Sequence, residues 1–201
     1  MNRPAADSTE VLVIDLKPFC AVNDIRTYLN APFVVDGHTI ATNGHVLIRV
    51  PGADHDADPS LPVQVQSSIR KMFQPEDTDF VPLPALPDPQ KCPLCNGTGF
   101  IENADCEDCD GRGEFMHGAH IYECKNCDGT GTVGRAECWD SECDGGFVRE
   151  GVKIGDATFS ARYLRLIAAL PNARICANGP QGTAAFVFDG GDGRLMPMRS
   201  A

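Results

Sequence analysis

Cys92-Pro-Leu-Cys95-Asn-Gly-Thr-Gly99, Cys106-Glu-Asp-Cys109-Asp-Gly-Arg-Gly113, Cys124-Lys-Asn-Cys127-Asp-Gly-Thr-Gly131 and Cys138-Trp-Asp-Ser-Glu-Cys143-Asp-Gly-Gly146 are four successive units of one pattern. A short turn that holds two cysteines brings both sulfurs to one ion, with Zn–S of about 2.3 Å, and two such turns complete a tetrahedron. Eight cysteines in four units therefore predict two zinc ions. The glycines behind each pair permit positive φ, so that backbone amides can turn toward the thiolates. A fourfold repeat makes chance an inadequate explanation.

Around this core of the pattern, residues 91–150 have almost no aliphatic periodicity, and cysteine and glycine take its place. Residues 1–90 and 151–201 read as ordinary globular sequence, so the cysteine segment is expected to be an insertion into a discontinuous host domain. The exit from the first host segment runs through Gly52-Ala-Asp-His-Asp-Ala-Asp-Pro59 to a proline-rich stretch at 81–89, which predicts a stiff linker. The 201 residues are enough for one core plus a module, which excludes a fibrous or wholly disordered chain.

The charge is uneven. The chain carries 17 Lys+Arg against 28 Asp+Glu, a net −11, of which −8 falls on residues 91–150 and −3 on the host. Four thiolates around one Zn²⁺ add a further −2 at each site, so the insert is expected to be more acidic than its formal count. Such a surface does not attract nucleic acid or anionic lipid in general. No stretch approaches the roughly 20 apolar residues that span a bilayer, and the opening MNRPAADSTEVLVIDL has no signal-peptide run. A soluble, cytoplasmic protein without membrane contact is therefore expected, and in that reducing setting paired cysteines favour metal over disulfides.

The four units resemble the cysteine-rich zinc domain of DnaJ-type co-chaperones, whose repeat is C-x-x-C-x-G-x-G in four copies, over residues 92–146. The resemblance implies that the first and fourth units share one zinc, Cys92, Cys95, Cys138 and Cys143, and that the inner two share the other, Cys106, Cys109, Cys124 and Cys127. It also implies an extended hairpin. Unit starts 14 residues apart on both arms, with 18 across the tip, agree with that nesting. The fourth unit departs from the pattern, with four residues between its cysteines and a Gly-Gly end. The chain also has no His-Pro-Asp signature of a J-domain, so a full co-chaperone is excluded. His117 and His120 in the tip read as a solvated loop rather than as ligands, and Cys20 and Cys176 as buried free thiols.

In the host, Glu10 to Asp15 is β-like, Pro18 to Leu29 reads as a helix, and Phe33 to Val35, Thr39 to Ala41 and His45 to Val50 read as strands with Asp36-Gly37 and Asn43-Gly44 turns. A short helix is expected at Ile69 to Phe73. After the insert, Val152 to Phe159 is β-like and Ser160 caps a helix ending before Pro171. Strands then follow at Arg174 to Ala177, Ala184 to Asp189 and Arg194 to Met198, with Gly191-Asp-Gly193 as a turn. The host therefore reads as two β-α-β-β-β units, an α+β fold. That repeat, with Thr39-Ile-Ala-Thr-Asn-Gly-His-Val-Leu47, Phe159-Ser-Ala-Arg-Tyr-Leu-Arg165 and Leu195-Met-Pro-Met-Arg199, resembles one domain of the bacterial DNA polymerase sliding clamp (β-clamp). The resemblance implies that Lys17, Arg26, Arg162 and Arg165 contact DNA phosphates from the helices, and that a single clamp-like domain encircles DNA only as an oligomer of about six copies. In the resembling segment His45 is a turn residue.

No Ser/His/Asp arrangement, phosphate loop or His-Glu-x-x-His appears, and four thiolates leave zinc no open position, so no enzyme is expected. Three functions follow. The first is a non-catalytic zinc module on a clamp-like scaffold, binding a protein partner or an unfolded peptide. The second is a DNA-associated replication accessory, and the third a zinc-linked thiol oxidoreductase. The combination of modules suits a bacteriophage or mobile-element protein.

Overall fold

The computed structural model describes residues 14–52, 58, 61–73, 79–179 and 182–199. They form two compact units, one comprising the described residues up to Leu86 together with those from Gly151 onward, the other Pro87–Glu150. In chain order the elements are β1 (Phe33–Val35), β2 (His38–Thr42), β3 (Val46–Pro51), α1 (Val63–Met72), β4 (Val81–Pro82), β5 (Phe100–Asp105), β6 (Glu114–His117), β7 (His120–Glu123), β8 (Thr132–Glu137), β9 (Cys143–Asp144), β10 (Phe147–Val148), β11 (Gly151–Ile154), β12 (Ala157–Ser160), α2 (Ala161–Ala168), β13 (Arg174–Cys176), β14 (Ala184–Phe188) and β15 (Gly191–Leu195). The described residues are mostly β with two α-helices, an α+β composition.

The first unit is built on one seven-stranded antiparallel sheet in the order β1-β2-β3-β15-β14-β13-β4. Two meanders, β1 to β3 and β13 to β15, meet where β3 pairs with β15 from Asp192↔Arg49 to Leu195↔Val46. Ile48, Phe186, Leu195 and Ile175 are fully buried from the sheet side, and Phe159, Leu164 and Ile167 from β12 and α2. Leu164 and Ile167 are three apart, so one face of α2 enters this core. A second, smaller cluster places Ile69 of α1 against Phe33, Val35, Ile40 and Leu47. At the central pair, Arg49 forks onto Asp192 with two hydrogen bonds of 2.8 Å. Its guanidinium also lies 3.8 Å from the centre of the Phe73 ring.

In the second half of this unit β11 and β12 form a hairpin where one strand, Val152 to Phe159, is expected, but that half does supply the expected helix before three strands. The first half does not. Pro18 to Leu29 is no α-helix but two 3-10 turns, Lys17–Phe19 and Thr27–Leu29. Asn23 takes a left-handed φ of 56° between them. Asp24 exchanges backbone hydrogen bonds with the Asn30 side chain, and its carboxylate binds Arg26, so local side chains outcompete the helix. The short helix expected at 69–73 is instead ten residues long and begins after Pro62. The expected β-like stretch at 10–15 falls outside the described residues except for Ile14 and Asp15, which join no strand.

Two further differences have packing causes. Gly191-Asp192-Gly193 is the start of β15, not a turn. A side chain at Gly193 would occupy the space of the Phe186 ring and the Leu47 carbonyl, so glycine serves close packing there. The start of the proline-rich run also does more than link. Val81-Pro82 pairs with β13 as an edge strand, where a missing N–H is tolerated, and Leu83 and Leu86 pack on the main core.

Candidate metal centres

The second unit is a long hairpin folded around its cysteines. From its ends inward come the first and fourth turns, the β5–β8 ladder, the second and third turns, and the β6–β7 hairpin at the tip. Its buried side chains are six cysteines and Ala104.

Cys106, Cys109, Cys124 and Cys127 gather into one cluster, and Cys92, Cys95, Cys138 and Cys143 into another, with all sulfurs of a cluster within 4.8 Å of one another. Cys92–Cys138, Cys95–Cys143, Cys106–Cys124 and Cys109–Cys127 each lie 3.8 Å apart, sulfur to sulfur. A tetrahedron with a centre-to-sulfur distance of about 2.3 Å has an edge of about 3.8 Å, so each cluster fits a four-thiolate metal ion. None of the ten cysteines forms a disulfide.

The backbone repeats itself at the two centres. Cys92 and Cys138 donate to the carbonyls of Gly146 and Gly99, at 2.8 and 2.9 Å, while Cys106 and Cys124 donate to those of Gly131 and Gly113, both at 2.8 Å. Each centre is thus closed by a reciprocal pair of hydrogen bonds. The second sulfur of every unit also accepts an amide hydrogen: Gly99 to Cys95, Gly113 to Cys109, Gly131 to Cys127 and Gly146 to Cys143, all at 3.2–3.3 Å. Gly113 and Gly131 have a φ of +77°, and a Cβ on either would strike the backbone of the opposing turn. Only glycine allows two turns to close on one ion here.

The fourth unit absorbs its longer spacer without breaking this scheme. Cys143 donates to the Asp140 carbonyl at 2.9 Å, Glu142 donates to the Asp140 carboxylate at 2.9 Å, and Trp139 is turned out to solvent. The two centres nevertheless differ. All four cysteines of the inner one are buried, with Val133 packed against them, whereas Cys138 and Cys143 are half-buried. An Asp140 carboxylate oxygen also stands 3.6 Å from the Cys92 sulfur.

Ionisation explains why such clusters call for a cation. At Cys95 burial acts to raise the thiol, but the amides of Gly99 and Gly97 outweigh it and hold it at about 6. Burial, reinforced by the neighbouring sulfurs, pushes Cys143 and Cys124 up to about 12. Four thiols around one point cannot all ionise together near neutrality unless a positive ion offsets their repulsion.

The expected DNA-contacting cations are more dispersed. Lys17 is exposed on the first 3-10 turn, and Arg26 precedes the second, so the two share no helix. The Arg26 guanidinium grips Asp24 through 2.8 and 3.0 Å hydrogen bonds. It also borders a cleft of about 370 Å³ that includes Tyr28, His45 and Met196. Arg162 and Arg165 stand on α2 as expected, but Arg162 is exposed and lies over Tyr163 at 5.6 Å, whereas Arg165 is half-buried. His45 follows the Asn43-Gly44 turn and stacks on Tyr163, with ring centres 5.7 Å apart. Of the two remaining cysteines, Cys20 is buried, and burial together with the Asp15 carboxylate pushes its thiol up. Cys176 is half-buried rather than buried.

No family model and no curated protein matches this chain. No helix among the described residues is long and apolar enough to cross a membrane.

Proposed function

We propose that the chain is a non-catalytic, zinc-binding interaction protein, in which an acidic, two-zinc hairpin of DnaJ type is carried by a clamp-like α+β host and binds a protein partner or exposed peptide in the cytoplasm. The observation that carries this is the pair of four-sulfur clusters whose 3.8 Å edges match tetrahedral thiolate coordination. Zinc held there would be fully coordinated, and its role is to fold a module that buries almost no aliphatic surface. Replacing residues 87–150 with a short Gly-Ser linker tests the reading. Partner capture, and suppression of aggregation of an unfolded protein, should vanish while the host keeps its cooperative unfolding. Retention of both would overturn it.

The two competing readings separate by measurement. A replication accessory would bind DNA with a steep salt dependence that is lost on Arg162→Ala with Arg165→Ala. A thiol oxidoreductase would reduce insulin disulfides and lose that activity on Cys106→Ser.

A further inference from the structure

The tip of the zinc hairpin is built unlike the rest of the molecule. Each of the eight residues of β6 and β7 is exposed, yet four of them are large and apolar: Met116 is 72% exposed, Ile121 61%, Tyr122 54% and Phe115 38%. The register pairs Met116 with Ile121 and Phe115 with Tyr122. Because side chains alternate across a strand, Met116 and Ile121 lie on one face with Glu114 and Glu123. Phe115 and Tyr122 lie on the other with His117 and His120. A two-stranded ribbon is marginal in water on its own. Here its base is closed by the Cys124 to Gly113 hydrogen bond and the inner four-cysteine centre, and its turn by Gly118 at a φ of 63°.

Among the described residues neither β6 nor β7 pairs with a third strand, so each presents an open edge of main-chain donors and acceptors. Open edges bind extended segments, with main-chain hydrogen bonds giving affinity and alternate side chains giving selectivity. The charge around this edge is predominantly negative. Residues 105–128 carry seven carboxylates against Arg112 and Lys125. Glu114 and Glu123 stand directly opposite one another, a placement that disfavours the free hairpin and that a cation between them relieves.

We propose that the β6–β7 tip is the docking edge of the module and that its partner is an extended polypeptide strand carrying apolar and basic side chains. Its apolar residues cover Phe115–Tyr122 on one face, and its lysines or arginines, on the other face, meet Glu114 and Glu123. This rests on the interaction reading above and specifies its site and partner chemistry. The inner metal centre then has a functional consequence, since it fixes the ribbon in the paired form that receives the strand.

The test uses the full chain with its zinc bound and a fluorescein-labelled octapeptide alternating Ile and Lys, followed by anisotropy. Peptides alternating Ile with Glu and Ser with Lys serve as controls. Binding is expected for the Ile/Lys peptide alone. Phe115→Ser with Tyr122→Ser should leave the zinc content unchanged and weaken binding tenfold or more. Glu114→Gln with Glu123→Gln should weaken binding and flatten its dependence on salt. Equal binding of either control peptide, no binding of any, or full affinity in the Phe115→Ser with Tyr122→Ser variant overturns the proposal. If binding ignores the tip variants but disappears when residues 87–150 are replaced by a linker, the docking edge is wrong and the interaction reading stands. If it survives that replacement, both fall.

Discussion

Gly131→Ala isolates the geometry on which the inner metal centre depends. Gly131 has a φ of +77°, and a methyl group there would overlap the Gly111 carbonyl and crowd the Gly113 amide, backbone atoms that cannot rotate away. Placing an L side chain in the left-handed region costs about 1–2 kcal/mol. The overlap adds on the order of 1–2 kcal/mol, in the range of overpacked sites, while the stiffer unfolded chain returns about 0.4–1 kcal/mol. The net loss is about 2–3 kcal/mol. Because zinc binding and folding of such a module are one equilibrium, the loss should appear as zinc affinity, weaker by roughly 30-fold to 150-fold at about 1.4 kcal/mol per decade. Competition with a chromogenic chelator measures it, and one of the two zinc equivalents should become the weaker. Gly134→Ala, three residues along at an ordinary φ with open space around it, is the control and should change affinity by less than threefold. A Gly131→Ala protein that binds both equivalents like the parent would show that close packing of the two turns does not set the site.

Three other outcomes follow. Ile167 of α2 is fully buried in the main core of the host, so Ile167→Ala should cost about 2–5 kcal/mol in denaturant unfolding of that unit, with zinc content unchanged. Chelator should remove hydrogen-exchange protection from residues 87–150, whose buried side chains are largely cysteines, while β14, β15 and α2 stay protected. Hydrogen bonds from Arg26 hold the Asp24 carboxyl down at about 2. A depressed carboxyl stabilises the fold above its unfolded value, and that contribution is lost as pH falls from about 4 toward 2. Asp24→Asn should therefore lower the host's stability at neutral pH, leave it nearly unchanged near pH 2, and so flatten the acid limb between them.

The metal-binding unit was readable from sequence because its chemistry is local. Each Cys pair and its glycines define one turn, and the structure brings together the same two sets of four cysteines that the DnaJ resemblance implies. Even the irregular Cys138–Cys143 unit keeps the amide-to-sulfur bond of the others. Short runs of apolar, aromatic and β-branched residues, such as Phe33–Val35 and Ala184–Phe188, are legible as strands for the same reason. What misled was tertiary in origin. The apolar spacing of residues 18–29 resembles a helix, but Asp24, Asn30 and Arg26 form a clasp that no periodicity reveals. The glycines at 191 and 193 signal a turn until the rings of Phe188 and Phe186 are seen to need their space. Helix α1 is longer than its sequence suggests because only Ile69 among its ten residues is buried, so it carries a weak apolar stripe. The apolar tip of the cysteine hairpin reads as a solvated loop in sequence, since four hydrophobic residues in a two-stranded ribbon do not announce that both faces are open.

The central claim is that eight cysteines form two separate four-thiolate zinc centres. Native mass spectrometry of the purified chain, with and without Cys106→Ser plus Cys124→Ser, tests it most directly. Two zinc ions are expected on the parent and one on the variant, with no mass loss from disulfide formation in either. One or no zinc on the parent, or two retained by the variant, would contradict it.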